Sequence, residues 1–363
     1  MIMRGINFGA GPAMLPESLL TEVRDEMLNW QGTGMSVLEI GHRSPECTRL
    51  LKEAEDLFRR LLSIPDDYHV LFIGGAARTH FGMIPCNFLD NKRKAGYLQT
   101  GLWSEMALEE AGKLGFAYCV ASGKSNGYTT VPSQEEWVFQ KDSAYIYYTP
   151  NETVNGLRLS VLPKHEDIPL IADMTSCLLT EPVSVADFDM IFAGAQKNIA
   201  NAGLTVVIIK EQWLNSITNP SIPTMYDYRT FARSGSLYAT PPVFNCYLAV
   251  KMLHWIENQG GVQALYEQNC EKAKRLYDYI DSSEMYQSRV EPSYRSLVNA
   301  CFFLKDVSLE DRFLRQASER GLLALKGHRM VGGLRVSMYN AMNLAGVNCL
   351  IDFMSDFAKE HGV

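Results

Sequence analysis

The chain has 363 residues, 47% of them hydrophobic, with 41 acidic against 34 basic side chains and a net charge of −7. Ordinary apolar content with moderate charge excludes wholesale disorder, and a mildly acidic chain does not coat nucleic acid or an anionic membrane through bulk charge. The length suits about two domains, or one large domain with a smaller companion. The 8 cysteines are scattered with no Cys-x-x-Cys pair, a usage that fits reduced thiols in a cytoplasmic protein rather than a disulfide framework or zinc ribbon. The N-terminal residues, broken early by Gly and Pro, lack the apolar stretch of a signal peptide. The longest purely aliphatic run, 206–209, is strand-sized and far short of a membrane span.

In chain order, residues 17–30 follow Pro16, a good first-turn residue, and place Leu19, Leu20, Val23 and Met27 at helical spacing. Residues 46–62 repeat the pattern with Leu50, Leu51, Ala54, Leu57, Phe58 and Leu61. Short apolar runs at 69–73, 144–148, 169–172, 190–193 and 204–209 are too brief for helices. Several carry no charge, as strands buried on both faces do. Helical patterns such as 104–114 lie between them, so the chain is expected to be α/β, with a mixed, mostly parallel sheet and helices on both faces. Beyond residue 243 the rhythm changes. Two long amphipathic stretches, 243–258 and 262–280, are separated by Gly260-Gly261, a helix end. A strand (296–304), a helix (309–320), a strand (333–339) and a helix (346–360) follow, which predicts a smaller α+β domain. The expected division is 16–260 for the large domain and 261–363, with the N-terminal segment 1–15, for the small one.

Three features carry candidate chemistry. In Ile191-Phe-Ala-Gly-Ala-Gln-Lys197-Asn-Ile-Ala-Asn-Ala-Gly203 an apolar strand runs into small residues and a lone Lys. A solvated loop lysine is the plain interpretation; a lysine crowded by Ala and Gly would instead lose charge through desolvation and serve as a Schiff-base nucleophile. Asp173 ends the apolar run that starts at Ile168, where ligands of open α/β sheets sit, although it could simply cap the next turn. An Asp and a Lys at the ends of two strands are the pair that pyridoxal phosphate needs, one for the pyridine nitrogen and one for the aldehyde. Gly74-Gly-Ala-Ala-Arg78-Thr, between a strand and a helix start, is either a tight turn or an anion site on free amides and a helix dipole. It has neither Walker nor dinucleotide spacing.

Around these stand Trp103, able to stack on a flat ring or fill a core, and two His-Arg dipeptides, His42-Arg43 and His328-Arg329, each preceded by Gly. Arg335 lies in an alternating strand, where an inward guanidinium calls for a carboxylate. The scattered histidines offer no metal-ligand spacing, so no metal is expected.

The motifs Asn7-Phe-Gly-Ala-Gly-Pro-Ala-Met-Leu-Pro16, Ser36-Val-Leu-Glu-Ile-Gly-His-Arg43, Pro150-Asn-Glu-Thr153, Ala193-Gly-Ala-Gln-Lys-Asn198, Thr240-Pro-Pro242 and Lys326-Gly-His-Arg329 with Gly332-Gly-Leu-Arg335 run nearly end to end. On them the chain resembles the phosphoserine aminotransferase family, fold-type-I, pyridoxal-phosphate-dependent enzymes of the class-V aminotransferases that serve serine and, in some members, pyridoxine biosynthesis. The resemblance implies that Lys197 forms the Schiff base, Asp173 pairs with the pyridine nitrogen, Trp103 stacks on the ring and Thr153 bonds its phenolic oxygen. It implies phosphate contacts from the amides of Ala77 and Arg78, from Gln196 and from Thr240 of the partner subunit, hence a homodimer with shared sites. Arg335 would take the substrate α-carboxylate. His42 and Arg43 of the partner subunit, with His328 and Arg329, would receive the phosphate of phosphoserine or the distal carboxylate of glutamate. The small-molecule pair would be glutamate and 3-phosphohydroxypyruvate, with 2-oxoglutarate and phosphoserine as products. Three positions depart from the family: Ala239 stands where some members carry a phosphate-binding Asn, Ala10 where some carry Ser, and His80 where Gln is usual. An alanine– or serine–glyoxylate aminotransferase, and a non-catalytic protein of the same fold, are the competing interpretations.

Overall fold

The computed structural model describes residues 4–89, 93–164 and 167–362, so the first three residues of the N-terminal segment and the last residue of the expected small domain lie outside the described residues. Seven strands build the central sheet. They are β1 (Tyr68–Gly74), β2 (Lys94–Gln99), β3 (Ala117–Ser122), β4 (Ser143–Tyr148), β5 (Leu170–Asp173), β6 (Met190–Gly194) and β7 (Leu204–Lys210). Their spatial order is β1-β7-β6-β5-β4-β2-β3. Only β7 runs antiparallel to its neighbours; the other strands point one way and end along one edge.

The uninterrupted apolar runs have a simple cause. Successive side chains of a strand point to opposite faces, and both faces are covered. Val70 and Phe72 of β1 join one core cluster, while Leu71 and Ile73 join another. The first cluster is closed by α1 (Glu17–Glu26) and α2 (Pro45–Leu62), the second by α3 (Thr79–Phe88) and α4 (Leu102–Gly112). The long α5 (Val243–Asn258) lies against α2 in the first cluster. Burying each such Leu, Ile or Phe contributes roughly 1.5–3 kcal/mol. Gly260, at φ +93, then separates α5 from α6 (Gly261–Ser282).

A second, antiparallel sheet holds β8 (Tyr286–Gln287), β9 (Asn299–Leu304) and β10 (Leu334–Ser337). With α6, α7 (Glu310–Glu319) and α8 (Leu344–Glu360) it encloses a third core, centred on Phe302, Phe313, Phe353 and Phe357. The N-terminal residues join this unit. Ile6 and Asn7 pair in parallel with Leu322 and Leu323, Phe8 is fully buried in the third core, and the Ser337 amide donates to the Phe8 carbonyl at 3.0 Å. The same segment then reaches the central sheet, where the Ala13 amide donates to the Gln196 carbonyl at 2.9 Å. No helix among the described residues is long and apolar enough to cross a membrane.

Departures from the sequence pattern have local causes. The helix predicted over 17–30 stops at Glu26, because Trp30 turns inward edge-on to Tyr247, with ring centroids 6.1 Å apart, and Gln31 takes φ 50. The strand predicted from residue 296 begins at Asn299: the Ser296 hydroxyl accepts from the Val298 and Asn299 amides and holds a turn there. Strands β2 and β3 have little β-branched signal. Gly96 in β2 is a packing requirement, since a Cβ there would lie 2.7 Å from both Ile146 Cδ1 and the Tyr118 hydroxyl.

Candidate active site

The aligned carboxyl ends of the parallel strands deliver the predicted residues to one place. Beyond β1 come Ala77 and Arg78, beyond β2 Trp103 and beyond β4 Thr153; Asp173 ends β5, and Gln196 and Lys197 follow β6. All seven line a single cavity of about 300 Å³, together with Phe81, Asn151, Thr175 and Ser176. Convergence at strand ends is where open α/β sheets bind ligands.

Lys197 and Asp173 are both buried. Lys197 Nζ donates to Thr153 Oγ1. Burial pushes its pKa down to about 8 against the pull of Asp173, with Arg335 adding to the depression. A minority of the amine, far larger than for an ordinary lysine, is therefore neutral close to physiological pH, the form a nucleophile or base requires. Asp173 accepts from the Thr175 amide at 3.0 Å and from the Tyr147 hydroxyl at 3.4 Å. Burial raises its pKa from the ordinary carboxylate value, opposed by these hydrogen bonds and by Lys197.

Arg78 carries a second role at the mouth. Its guanidinium lies 5.1 Å from the Trp103 ring centroid, a cation–π distance. It also belongs to a cationic group. The His328 pKa is lowered first by burial, then by Arg335, Arg329 and Arg78. Arg335 sits half-buried on β10, held by its own amide to the Leu325 carbonyl at 2.8 Å. Two sheets thus contribute to one positive region: the central one supplies Arg78 and the small one supplies Arg335, with His328 and Arg329 from the turn before it.

The structure does not bring the remaining predicted residues to this cavity. His42, Arg43, Ala239 and Thr240 are absent from its lining, as are His328, Arg329 and Arg335, of which Arg335 still acts on Lys197. Thr240, exposed just before Pro241-Pro242, instead shares a hydrogen bond of 3.1 Å with His42 Nδ1. Arg43 is exposed, and Ala239 offers only a methyl group beside Thr240. His80 is fully buried, bonded through Nδ1 to the Tyr228 hydroxyl at 2.7 Å and stacked on Phe192. It is a core residue.

Glu152 was given no role by its sequence. Its side chain is completely buried next to Trp103, and burial raises its pKa to about 7 against the hydrogen bonds it accepts. Its sequence signals are its place in the Pro150-Asn-Glu-Thr153 motif and a charge soon after the charge-free β4. Tyr147 carries only a strand signal in the sequence.

The residues present fit a flat ring bearing an anionic group. At the start of the ten-residue α3 the amides of Thr79, His80 and Phe81 are taken by the carbonyls of Ala76, Ala77 and Arg78, which leaves the Ala77 and Arg78 amides to an anion. A carboxylate and an amine stand at separate points of the wall. Trp103 Nε1 is buried without a hydrogen-bond partner among the described residues, so the indole is available to a ligand as a face and a donor.

Known proteins share this fold. The family model of class-V aminotransferases matches residues 6–350. A phosphoserine aminotransferase of Legionella pneumophila is 56% identical over 362 residues, covering all of both chains. The solved phosphoserine aminotransferase of Bacillus circulans subsp. alkalophilus superposes with a TM-score of 0.97 at 39% identity, over 99% of each chain. That of Trichomonas vaginalis, solved with pyridoxal phosphate bound, gives 0.93 at 37% identity, over 97% of this chain and 100% of that one.

Proposed function

The chain belongs to the class-V aminotransferase family, and from that premise we propose that it is a phosphoserine aminotransferase. It binds pyridoxal 5′-phosphate and moves an amino group from L-glutamate to 3-phosphohydroxypyruvate, giving 2-oxoglutarate and O-phospho-L-serine for serine biosynthesis. The observation that carries the proposal is one cavity that unites Lys197, Asp173, Thr153, Trp103 and Arg78, with Arg335 acting on Lys197 and grouped with Arg78, His328 and Arg329. Residues 16–260 would carry the cofactor, and 261–363 with 1–15 would form the substrate-facing small domain.

Each side chain has work that its surroundings allow. The Ala77 and Arg78 amides and the Gln196 side chain would hold the cofactor phosphate at the start of α3. Trp103 would form the ring's stacking wall and Thr153 Oγ1 would bond its phenolic oxygen. Asp173 would hold a proton on the ring nitrogen, and the Tyr147 and Thr175 donors keep that carboxylate oriented. When bound, the cofactor supplies an electron sink for the pair left at the substrate Cα. Lys197 Nζ, with its lowered pKa, would take the proton from Cα and deliver it to the carbon on the far side of the amino nitrogen. Arg335 would clamp the α-carboxylate of either substrate, which fixes the Cα–H bond beside that amine. His328 and Arg329 would receive the distal anion.

The outer residues complete the site if it is shared within a homodimer. Thr240 of the partner subunit would add a phosphate contact, and His42 and Arg43 of the partner subunit would join the distal anion subsite. Ala239 of the partner subunit would leave its position without a hydrogen bond. A glyoxylate-dependent enzyme acting on alanine would leave the cationic cluster without a purpose.

A half-reaction screen tests the proposal. Purified protein is loaded with pyridoxal phosphate, and each amino acid is added while the absorbance of the lysine-bound cofactor is followed. Glutamate and phosphoserine are expected to bleach it and alanine to leave it unchanged. Faster turnover with alanine and glyoxylate than with glutamate and 3-phosphohydroxypyruvate would overturn the substrate assignment. A protein that takes up no cofactor would overturn the enzymatic one.

A further inference from the structure

Helices are ordinarily capped by a residue at their own start, a Ser, Thr, Asp or Asn whose oxygen takes the free amides. At the start of α4 stands Gly101, with no side chain to offer. The cap comes from a residue about fifty positions later. Glu152 accepts from the Trp103 amide at 3.0 Å through one oxygen, and from the Ser104 amide at 2.9 Å and the Ser104 hydroxyl at 2.7 Å through the other. The Ser104 oxygen in turn accepts from the Thr100 and Gly101 amides at 3.0 and 3.1 Å. Gly101 is what makes room, since a Cβ there would lie 2.4 Å from Glu152 Cδ. In its ionised form the carboxylate makes these contacts charge-assisted, at the positive end of the helix dipole.

The next residue in the chain faces the reacting groups. Thr153 Oγ1 accepts from Lys197 Nζ. Consecutive residues, joined by one rigid peptide, therefore hold Trp103 on one side and the lysine on the other. We propose that Glu152 is a positioning residue for the cofactor: its carboxylate, by gripping the amides of Trp103 and Ser104, sets the indole face at a fixed place relative to Thr153 and Lys197. This rests on the assignment of the cavity to pyridoxal phosphate. Glu152 itself touches neither Lys197 nor the reacting atoms; it acts through α4. Gln cannot replace it, because one oxygen becomes an NH₂ aimed at N–H donors.

The test is a double-mutant cycle on cofactor binding. The dissociation constant of pyridoxal phosphate is measured for wild type, E152Q, W103F and the double variant. The fluorescence of Trp103 without cofactor, taken as each protein minus its W103F counterpart, is recorded in parallel. We expect E152Q to weaken binding about tenfold and to shift the Trp103 emission, and to change binding by no more than about twofold once W103F is present. Equal losses in both backgrounds, or E152Q binding and emission like wild type, would overturn the proposal. If E152Q does not fold by circular dichroism, S104A enters the same cycle. It removes the hydroxyl donor and keeps both amides, with about a threefold loss expected that disappears with W103F; additivity or no effect there overturns the proposal equally. A wild-type protein that binds no pyridoxal phosphate sinks the functional assignment instead, so the two failures are distinct.

Discussion

The inner and outer halves of the site are built on different principles. Around Lys197, Asp173, Thr153 and Glu152 every group is buried, and each finds its hydrogen-bond partners within the same chain. Around His42, Arg43 and Thr240 the groups are half-buried or exposed and stand away from the cavity. The inner half obtains its chemistry from desolvation: burial brings the lysine down and the carboxylates up. The outer half relies on plain charge, which works in water and suits a polar substrate that must enter and leave. A group whose proton affinity is tuned has to be dry, whereas a group that only recognises an anion does not.

That contrast can be broken in steps of decreasing size. The largest effect should come from Lys197→Ala, which removes the only amine in the buried half; turnover is expected to fall by about 10³-fold or more, checked by steady-state assay with glutamate and 3-phosphohydroxypyruvate. A variant retaining normal turnover would remove the inner half from the chemistry. Asp173→Asn keeps shape and loses charge, and should lower kcat/KM by about 10²-fold. The amide oxygen can keep the Thr175 amide, and the Tyr147 hydroxyl, which faces the other carboxylate oxygen at 3.4 Å, can turn to accept from the new NH₂, so folding by circular dichroism should be unchanged.

Arg335→Lys sits between the halves. It should raise KM for both substrates about tenfold with kcat nearly kept, because a point charge replaces a bidentate fork. For the outer half, mixing inactive K197A subunits with impaired R43A subunits should restore about a quarter of wild-type activity. Random pairing gives half heterodimers, each with one complete site. No restoration would place Arg43 outside any shared site.

The smallest effect at neutral pH, and a purely structural one, concerns the scaffold behind the inner half. His80 is held neutral by burial, with its pKa lowered from 6.5 to about 3. Between those values the unfolded chain binds the extra proton. Stability is therefore complete above pH 6.5 and falls as the pH drops toward 3, by about 1.4 kcal/mol per pH unit. Urea unfolding of H80Q should be flatter than wild type over that window and the same at pH 7.5.

The inner half was legible because its residues advertise themselves locally. Lys197 and Asp173 each follow a charge-free strand, and the Gly-rich turn before α3 precedes an obvious helix. Glu152 was not legible as a participant. Its meaning lies in Trp103 and Ser104, far upstream, and no local pattern encodes a cap supplied from a distance. Strands β2 and β3 escaped for a related reason, since Gly96 is there to fit Tyr118 and Ile146 rather than to express a strand preference. The His-Arg dipeptides were visible as motifs. Which subunit they serve depends on quaternary contacts that no single chain contains.

The N-terminal segment has a mechanical consequence. Phe8 is anchored in the third core, and five residues later Ala13 is bonded to the carbonyl of Gln196, the neighbour of the reactive lysine; between them the Ala10 carbonyl accepts from the Tyr339 hydroxyl at 3.1 Å. Such a short stretch works as a strap of set length. The two sheets can tilt about it, but they cannot draw apart without tearing one of its three fastenings. A movement that keeps all three is a pivot with this strap near its axis, and cutting the chain between Gly9 and Pro12 would remove that constraint.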